Sequence, residues 1–162
     1  NIYMVKLGII SDTHLNRVTD EFSNTIKNIF REVDLIIHAG DMTSLFVYDY
    51  LSNWNISAVR GNMDDLDLQN ILPEKRIEEI EGRRIGIIHG RGSPYGLGNL
   101  VFNEFQDVDI IIFGHSHIPF YEKKGKVEMF NPGSYKGLSG QSGTVGIIEI
   151  DDSLRFEHIQ VR

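Results

Sequence analysis

Apolar and polar positions along the chain fall into two halves with different rhythms. In the first, short apolar runs at 5–10, 35–37 and 56–59 alternate with stretches of helical spacing. Over 21–30, Phe22, Ile26, Ile29 and Phe30 recur on one face of a helix. Ser44 can cap a second helix that runs to about Leu51. Strand and helix in alternation predict a parallel sheet with crossover helices, here a doubly wound βαβαβ start. After Pro73 the rhythm changes. Strands are predicted at 76–80 and 84–88 around the turn Glu81-Gly82-Arg83, a helix near 97–105, and a buried strand at 110–113. Lys124-Gly125-Lys126 reads as a hairpin turn, and 145–150 should pair with 154–161 across Asp151-Asp152-Ser153. The second half is therefore richer in antiparallel strands, and one domain over 1–162 with two sheets between helices accounts for the whole pattern.

Composition narrows the chemistry. With 162 residues the chain can bury roughly 70% of the surface it would expose unfolded, so one sizeable core needs no staples. It has no cysteine, which removes disulfides, thiolate zinc sites and cysteine nucleophiles together, and makes the cytoplasm the expected compartment. Any metal must be held by nitrogen and oxygen. No apolar run approaches the ~20 residues of a membrane span, and the first ten residues lack the regions of a signal peptide. A net charge of -7 argues against nucleic acid as the main substrate, because duplex binding draws on Lys and Arg neutralising phosphates.

Ligands of open α/β sheets gather outside the carboxyl ends of strands. At those ends stand Asp12-Thr13-His14, Gly40-Asp41, Gly61-Asn62-Met63-Asp64, His89-Gly90 and Gly114-His115-Ser116-His117. Each has an ordinary reading alone: a helix cap, a turn dipeptide, a core histidine. Five such strand ends in order do not, and paired imidazoles around one small residue have no common packing role. Four of the six histidines fall in these motifs; His38 reads as a strand residue and His158 as a solvent-facing residue of the last strand. Two divalent ions need a shared anionic bridge, neutral ligands and open positions for water and substrate. Asp with His and Asn meets that need and leaves a positive socket for phosphate in an acidic chain.

The ordered set Asp-x-His, Gly-Asp, Gly-Asn-x-Asp, His-Gly and Gly-His-x-His resembles the calcineurin-like metallophosphoesterases. The likeness runs from Asp12 to His117 and extends to Asn131-Pro132-Gly133-Ser134, which is similar to the small bacterial and archaeal phosphodiesterase branch. It implies a four-layer α/β/β/α sandwich with two mixed sheets. It implies that Asp12, His14 and His117 hold one metal, Asn62, His89 and His115 the second, and that Asp41 bridges them. It further implies attack on a small phosphodiester by a metal-bridging hydroxide, with Asp41, Asn62 and Asp64 at the chemistry and Asp64 orienting a ligand or a water. Mixed nitrogen and oxygen ligation suits manganese first, with iron, zinc or nickel also fitting.

Two positions depart from the family pattern. Met63 stands where many members carry a histidine that protonates the leaving group, and Arg91 stands where the small branch often has another. Neither side chain can give a proton near neutral pH, so substrates with good leaving groups, such as aryl diesters, are expected. Arg91, Lys136 and Ser134 are candidate substrate neighbours. Phe102, Phe105, Phe113, Phe120 and Phe130 fit core positions, and Trp54 a partly exposed packing position. The alternative from another class is a metal-poor scaffold similar to the phosphoesterase-like subunit of retromer. Acidity fits a monomer or a homodimer.

Overall fold

A computed structural model of the chain describes residues 3–138 and 141–161. In chain order its elements are β1 (Val5–Ile10), α1 (Asp20–Ile29), β2 (Leu35–His38), α2 (Leu45–Leu51), β3 (Ile56–Ala58), α3 (Leu66–Ile71), β4 (Lys75–Ile80), β5 (Arg83–Ile88), α4 (Leu97–Phe102), β6 (Ile110–Ile112), β7 (Phe120–Lys124), β8 (Val127–Asn131), β9 (Thr144–Ile150) and β10 (Leu154–Gln160).

The strands form two five-stranded sheets, β10-β9-β1-β2-β3 and β4-β5-β6-β8-β7. Both are mixed. Strands β1, β2 and β3 run parallel, and β9 and β10 add antiparallel neighbours; β5, β6 and β8 run parallel between antiparallel β4 and β7. Three apolar layers hold the four layers of structure together. Leu7 and Ile9 of β1, with Ile37, Ile148 and Ile150, meet Ile85, Ile87, Ile110, Ile112 and Phe130 of the other sheet. On the far face of the first sheet, Ile10 and Ile36 pack with Phe22, Ile26, Val47, Leu51 and Leu68 from α1, α2 and α3. On the far face of the second, Ile111 and Met129 pack with Leu97 and Val101 of α4. Strands buried on both faces need apolar residues at successive positions, which is why 5–10, 35–37 and 110–113 read as continuous apolar runs.

The expected four-layer sandwich is present, with some local differences. The start is not doubly wound: α1 and α2 lie on one face of the first sheet, because the other face is taken by the second sheet. Helix α3 was not expected; only Leu68 of its six residues is buried, so it has no apolar stripe, and its one signal is the Asp65 cap that accepts from Leu68 N at 3.0 Å. The turn between β4 and β5 tightens to Glu81-Gly82, both with positive φ (49° and 75°), which leaves Arg83 in the strand. Helix α4 stops at Phe102, short of Phe105. His158 is not solvent-facing. It stacks on Phe130 at 4.5 Å, and its Nε2 donates to the Asn131 carbonyl at 2.8 Å, joining β10 to the other sheet.

Phe130 fills the space between the sheets against Gly146 of β9, where an added Cβ would lie on the phenyl ring. Phe130→Ala should lower stability by about 3–5 kcal/mol through the cavity left behind. Gly146→Ala should cost about 1–3 kcal/mol through overpacking. Urea unfolding midpoints check both, and unchanged midpoints would contradict this packing.

Candidate metal centre

The carboxyl ends of β1 and β2 meet the loops after β5 and β6 at one edge of the sandwich. Asp12 N donates to Gly40 O at 3.0 Å, His14 N to Asp41 O at 3.2 Å, and Gly114 N to His89 O at 3.1 Å. His115 N reaches across to Asp12 Oδ2 at 3.2 Å. These loops turn sharply. Asp12, His14, Asp41, His115 and His117 all have positive φ, between 46° and 71°. Only a few per cent of non-glycine residues adopt that region, and each costs on the order of 1–3 kcal/mol, so the surrounding hydrogen bonds must impose it. It accompanies the turn of Asp12, His14, Asp41 and His117 toward one another, with His115 beside them.

Asp12 and Asp41 are buried, at 0% and 2% exposure. His117 Nε2 lies 3.2 Å from Asp12 Oδ1, and His14 Nε2 lies 3.7 Å from the same atom. His89 Nε2 lies 3.1 Å from Asp41 Oδ2 and 3.9 Å from Asp12 Oδ1, while His14 Nε2 is 3.8 Å from Asp41 Oδ2. Two groups therefore have ligand atoms close enough to hold one cation each: Asp12, His14 and His117, and Asp12, Asp41 and His89. Asp41 Oδ2 sits between one imidazole of each expected set, and Asp12 Oδ1 touches three imidazoles, so both carboxylates reach across the centre.

The residues fit a cation. Asp12 Oδ1, His14 Nε2 and His89 Nε2 are buried and without hydrogen-bond partners, a condition that native interiors rarely tolerate. The other ring nitrogen of His89, Nδ1, donates to Ala39 O at 2.7 Å, which leaves the Nε2 lone pair turned toward the carboxylates, the arrangement of a metal-binding histidine. Without a cation the groups answer one another. Burial pushes Asp12 up, yet the His117 and His14 imidazoles close beside it hold it far below the usual carboxylate range. Burial likewise opposes the net lowering of Asp41, which His89 drives. His117 is raised by its hydrogen bond to Asp12, and His89 is raised by Asp41 and Asp12 against the opposing effect of burial. Negative charge persists here and draws positive charge in.

The remaining expected ligands stand beside this group. The His115 ring is 5.2 Å from that of His89, and its Nε2 donates to Gly92 O at 2.8 Å, which leaves Nδ1 free of that bond. Asn62 is exposed and lines a groove with His89 and Arg91. Neither belongs to the two close groups.

Asp64 does not face the centre. Its buried carboxylate accepts from Gly61 N (2.7 Å), Thr43 N (2.7 Å) and Asp41 N (3.2 Å), so it orients Asp41, a candidate ligand. Ser134 Oγ donates to Asp12 O at 3.0 Å, and Asn131 Nδ2 donates to Gly114 O and Ser116 Oγ at 3.0 and 3.1 Å. These two residues hold the loops in place, and Ser134 also lines a pocket beside His117. His38 is fully buried; its Nδ1 accepts from Gly40 N at 3.1 Å, its Nε2 lies 3.3 Å from Thr13 Oγ1, and burial pushes its pKa down to about 3. It is a neutral brace for the Gly40-Asp41 turn. The sequence reading missed Ser11, whose hydroxyl donates to Asp12 Oδ2 at 2.6 Å. It also missed the need for Gly61 and Gly114, where a Cβ would strike Asp41 and Ser11. Arg91 pairs with Glu104 at 3.1 Å on the rim of the groove.

Residues 5–153 match the model of the calcineurin-like phosphoesterase superfamily domain. A probable metallophosphoesterase of Methanocaldococcus jannaschii is 40% identical over 134 residues, 79% of this chain and 67% of that protein. A phosphodiesterase of the same organism is 32% identical over 164 residues, covering 91% of this chain and 94% of its own. Among solved structures, a novel archaeal phosphodiesterase has a TM-score of 0.70 at 30% identity, over 96% of this chain and 100% of that one. Vps29 of Entamoeba histolytica, solved with zinc, has a TM-score of 0.69 at 20% identity over 98% and 100%, a likeness of fold alone. The motifs, the sandwich and these relatives agree, and the chain belongs to the calcineurin-like phosphoesterase superfamily.

Proposed function

We propose that the chain hydrolyses small phosphodiesters at a centre of two divalent cations. The observation that carries this reading is the convergence of Asp12 Oδ1, His14 Nε2 and His89 Nε2, buried and without partners, on one point beside Asp41. Asp12, His14 and His117 would hold one ion, His89 with Asn62 and His115 the other, and Asp41 would join them. The ligand set fits manganese, with iron, zinc or nickel as substitutes. Divalent cations bound there supply positive charge for the phosphoryl oxygens and make water acidic enough to attack phosphorus. The relative named a phosphodiesterase, which matches this chain along nearly its whole length, supports the diester class.

The chain's own residues set the limits of the chemistry. Asp64 fixes Asp41 through its backbone N–H, and Met63 N donates to Asp41 Oδ1 at 2.8 Å, so one short loop orients the bridging carboxylate. Ser11 and the His115 N–H occupy Asp12 Oδ2 and leave Oδ1 for a cation. Met63 is 58% exposed at this edge, and its side chain carries no proton to give. A leaving group must therefore depart without help from that position, and aryl diesters meet the requirement.

Turnover of bis(p-nitrophenyl) phosphate should vanish on chelation and return with manganese. Asp12→Asn should lower kcat/KM by more than the roughly 10–100-fold that loss of a mere supporting partner costs. Purified protein with no bound metal and no chelator-sensitive turnover would contradict the enzyme reading and favour a scaffold. Met63→His should speed alkyl diesters more than aryl ones, by an amount approaching the roughly 100-fold at the low end of what general acid catalysis contributes. Equal effects on both classes, measured across a series of leaving groups, would count against a missing proton donor.

A further inference from the structure

Past His89 and Asn62 the site continues into a groove of about 330 Å³ whose walls carry Arg60, Gln69, Glu74 and Arg91. Arg60 enters from the end of β3, two residues before Asn62. Its backbone N–H donates to Pro73 O and its Nη1 to Leu72 O, both at 2.9 Å. The guanidinium is thus anchored to the connection between α3 and β4 by one donor. Among the described residues, no ion pair or further side-chain hydrogen bond uses the rest of its fork. Arg91 shares the opposite carboxylate, Glu104, with Lys75: Nη1 to Oε1 at 3.1 Å, and Nζ to Oε2 at 3.3 Å. Around the groove Arg60, Arg91 and Lys75 outnumber Glu74 and Glu104, a positive surplus in a chain of net charge -7. Gln69 gives its amide hydrogens to Gly61 O and Asp64 O at 2.9 and 3.3 Å, which ties the groove wall to the loop bearing Asn62. Among the described residues no Phe, Tyr or Trp lines the groove, and its one ring, His89, is engaged with His115 and Asp41 at the metal centre.

A guanidinium held by one donor, with the rest of its fork unused, matches a carboxylate or phosphate in a way that an ammonium does not. Its anchorage also means that little side-chain freedom is lost on binding. We propose that this groove receives one ester arm of the substrate, and that Arg60, assisted by Arg91, selects phosphodiesters whose arm carries a second anionic group. The position of the reacting phosphorus is taken from the phosphodiesterase reading above, on which this inference rests. The charge at the far end of the arm, rather than its shape, is what the groove recognises.

The test uses the full chain reconstituted with manganese and three p-nitrophenyl alkyl phosphodiesters that differ only in a terminal amide, carboxylate or phosphate. At low ionic strength kcat/KM should favour at least one anionic arm over the amide by roughly tenfold, the scale of one hydrogen bond to a charged group. Arg60→Gln should abolish that preference by raising KM for the anionic arms far more than for the amide; Arg91→Gln should weaken it. Equal rates on all three substrates, or an equal loss on all three in Arg60→Gln, would overturn the subsite while leaving the phosphodiesterase reading intact. Should none of the three turn over, that reading fails instead. Calorimetric titration with nonhydrolysable phosphonate monoesters bearing the same arms then decides the subsite. Tighter binding of an anionic arm that is lost in Arg60→Gln supports it, and indifference to the arm overturns it.

Discussion

The candidate site depends on an unfavourable encounter: two buried carboxylates, Asp12 and Asp41, face the nitrogens of three imidazoles at 3.1–3.9 Å. Bare, these groups would repel or remain unsatisfied, and a hydrophobic core of this size has no reason to keep them. Protons shared with His89 and His117 relieve part of the cost, as their raised pKa values reflect. Divalent cations would relieve it more fully, because Asp12, His14 and His117, and Asp12, Asp41 and His89, each bring ligand atoms close enough to share one. Positive φ at four of the facing residues, Asp12, His14, Asp41 and His117, belongs to the same arrangement, since local strain lasts only where the surroundings over-determine it.

The sandwich supplies that over-determination. Both sheets end at the same edge because their parallel strands are clamped face to face by Leu7, Ile9, Ile85, Ile87, Ile110, Ile112 and Phe130. Single hydrogen bonds then cross between loops from different sheets, such as His115 N to Asp12 Oδ2. His158 stacked on Phe130, with its ring bonded to Asn131 O, extends the link to the last strand. Asn131 in turn holds Gly114 and Ser116, on either side of His115. Packing between the sheets and placement of the imidazoles are therefore parts of one arrangement.

Much of this was legible along the chain because ligand residues must stand where apolar strands end. Asp12, Asp41, His89 and His117 each follow such a run, and no core position competes for them. Asp64 read equally well as a turn residue, because its partners at Thr43 and Asp41 lie more than twenty residues away and only the fold brings them near. His158 was misplaced for a related reason. It sits in an alternating strand, and whether that face meets water or a second sheet is a tertiary matter. Helix α3 escaped because one buried leucine makes no periodic pattern. Arg60 carried no motif at all; its place in the groove follows from contacts with Leu72 and Pro73, across the helix that was not foreseen.

The central claim is that Asp41 and its neighbours join two cations rather than merely surround one. Electron paramagnetic resonance of the manganese-reconstituted chain, read together with its metal stoichiometry, tests this most directly. The account predicts two ions per chain and the spectrum of an exchange-coupled pair, lost on Asp41→Asn. One ion per chain, or two that show no magnetic coupling, would contradict it.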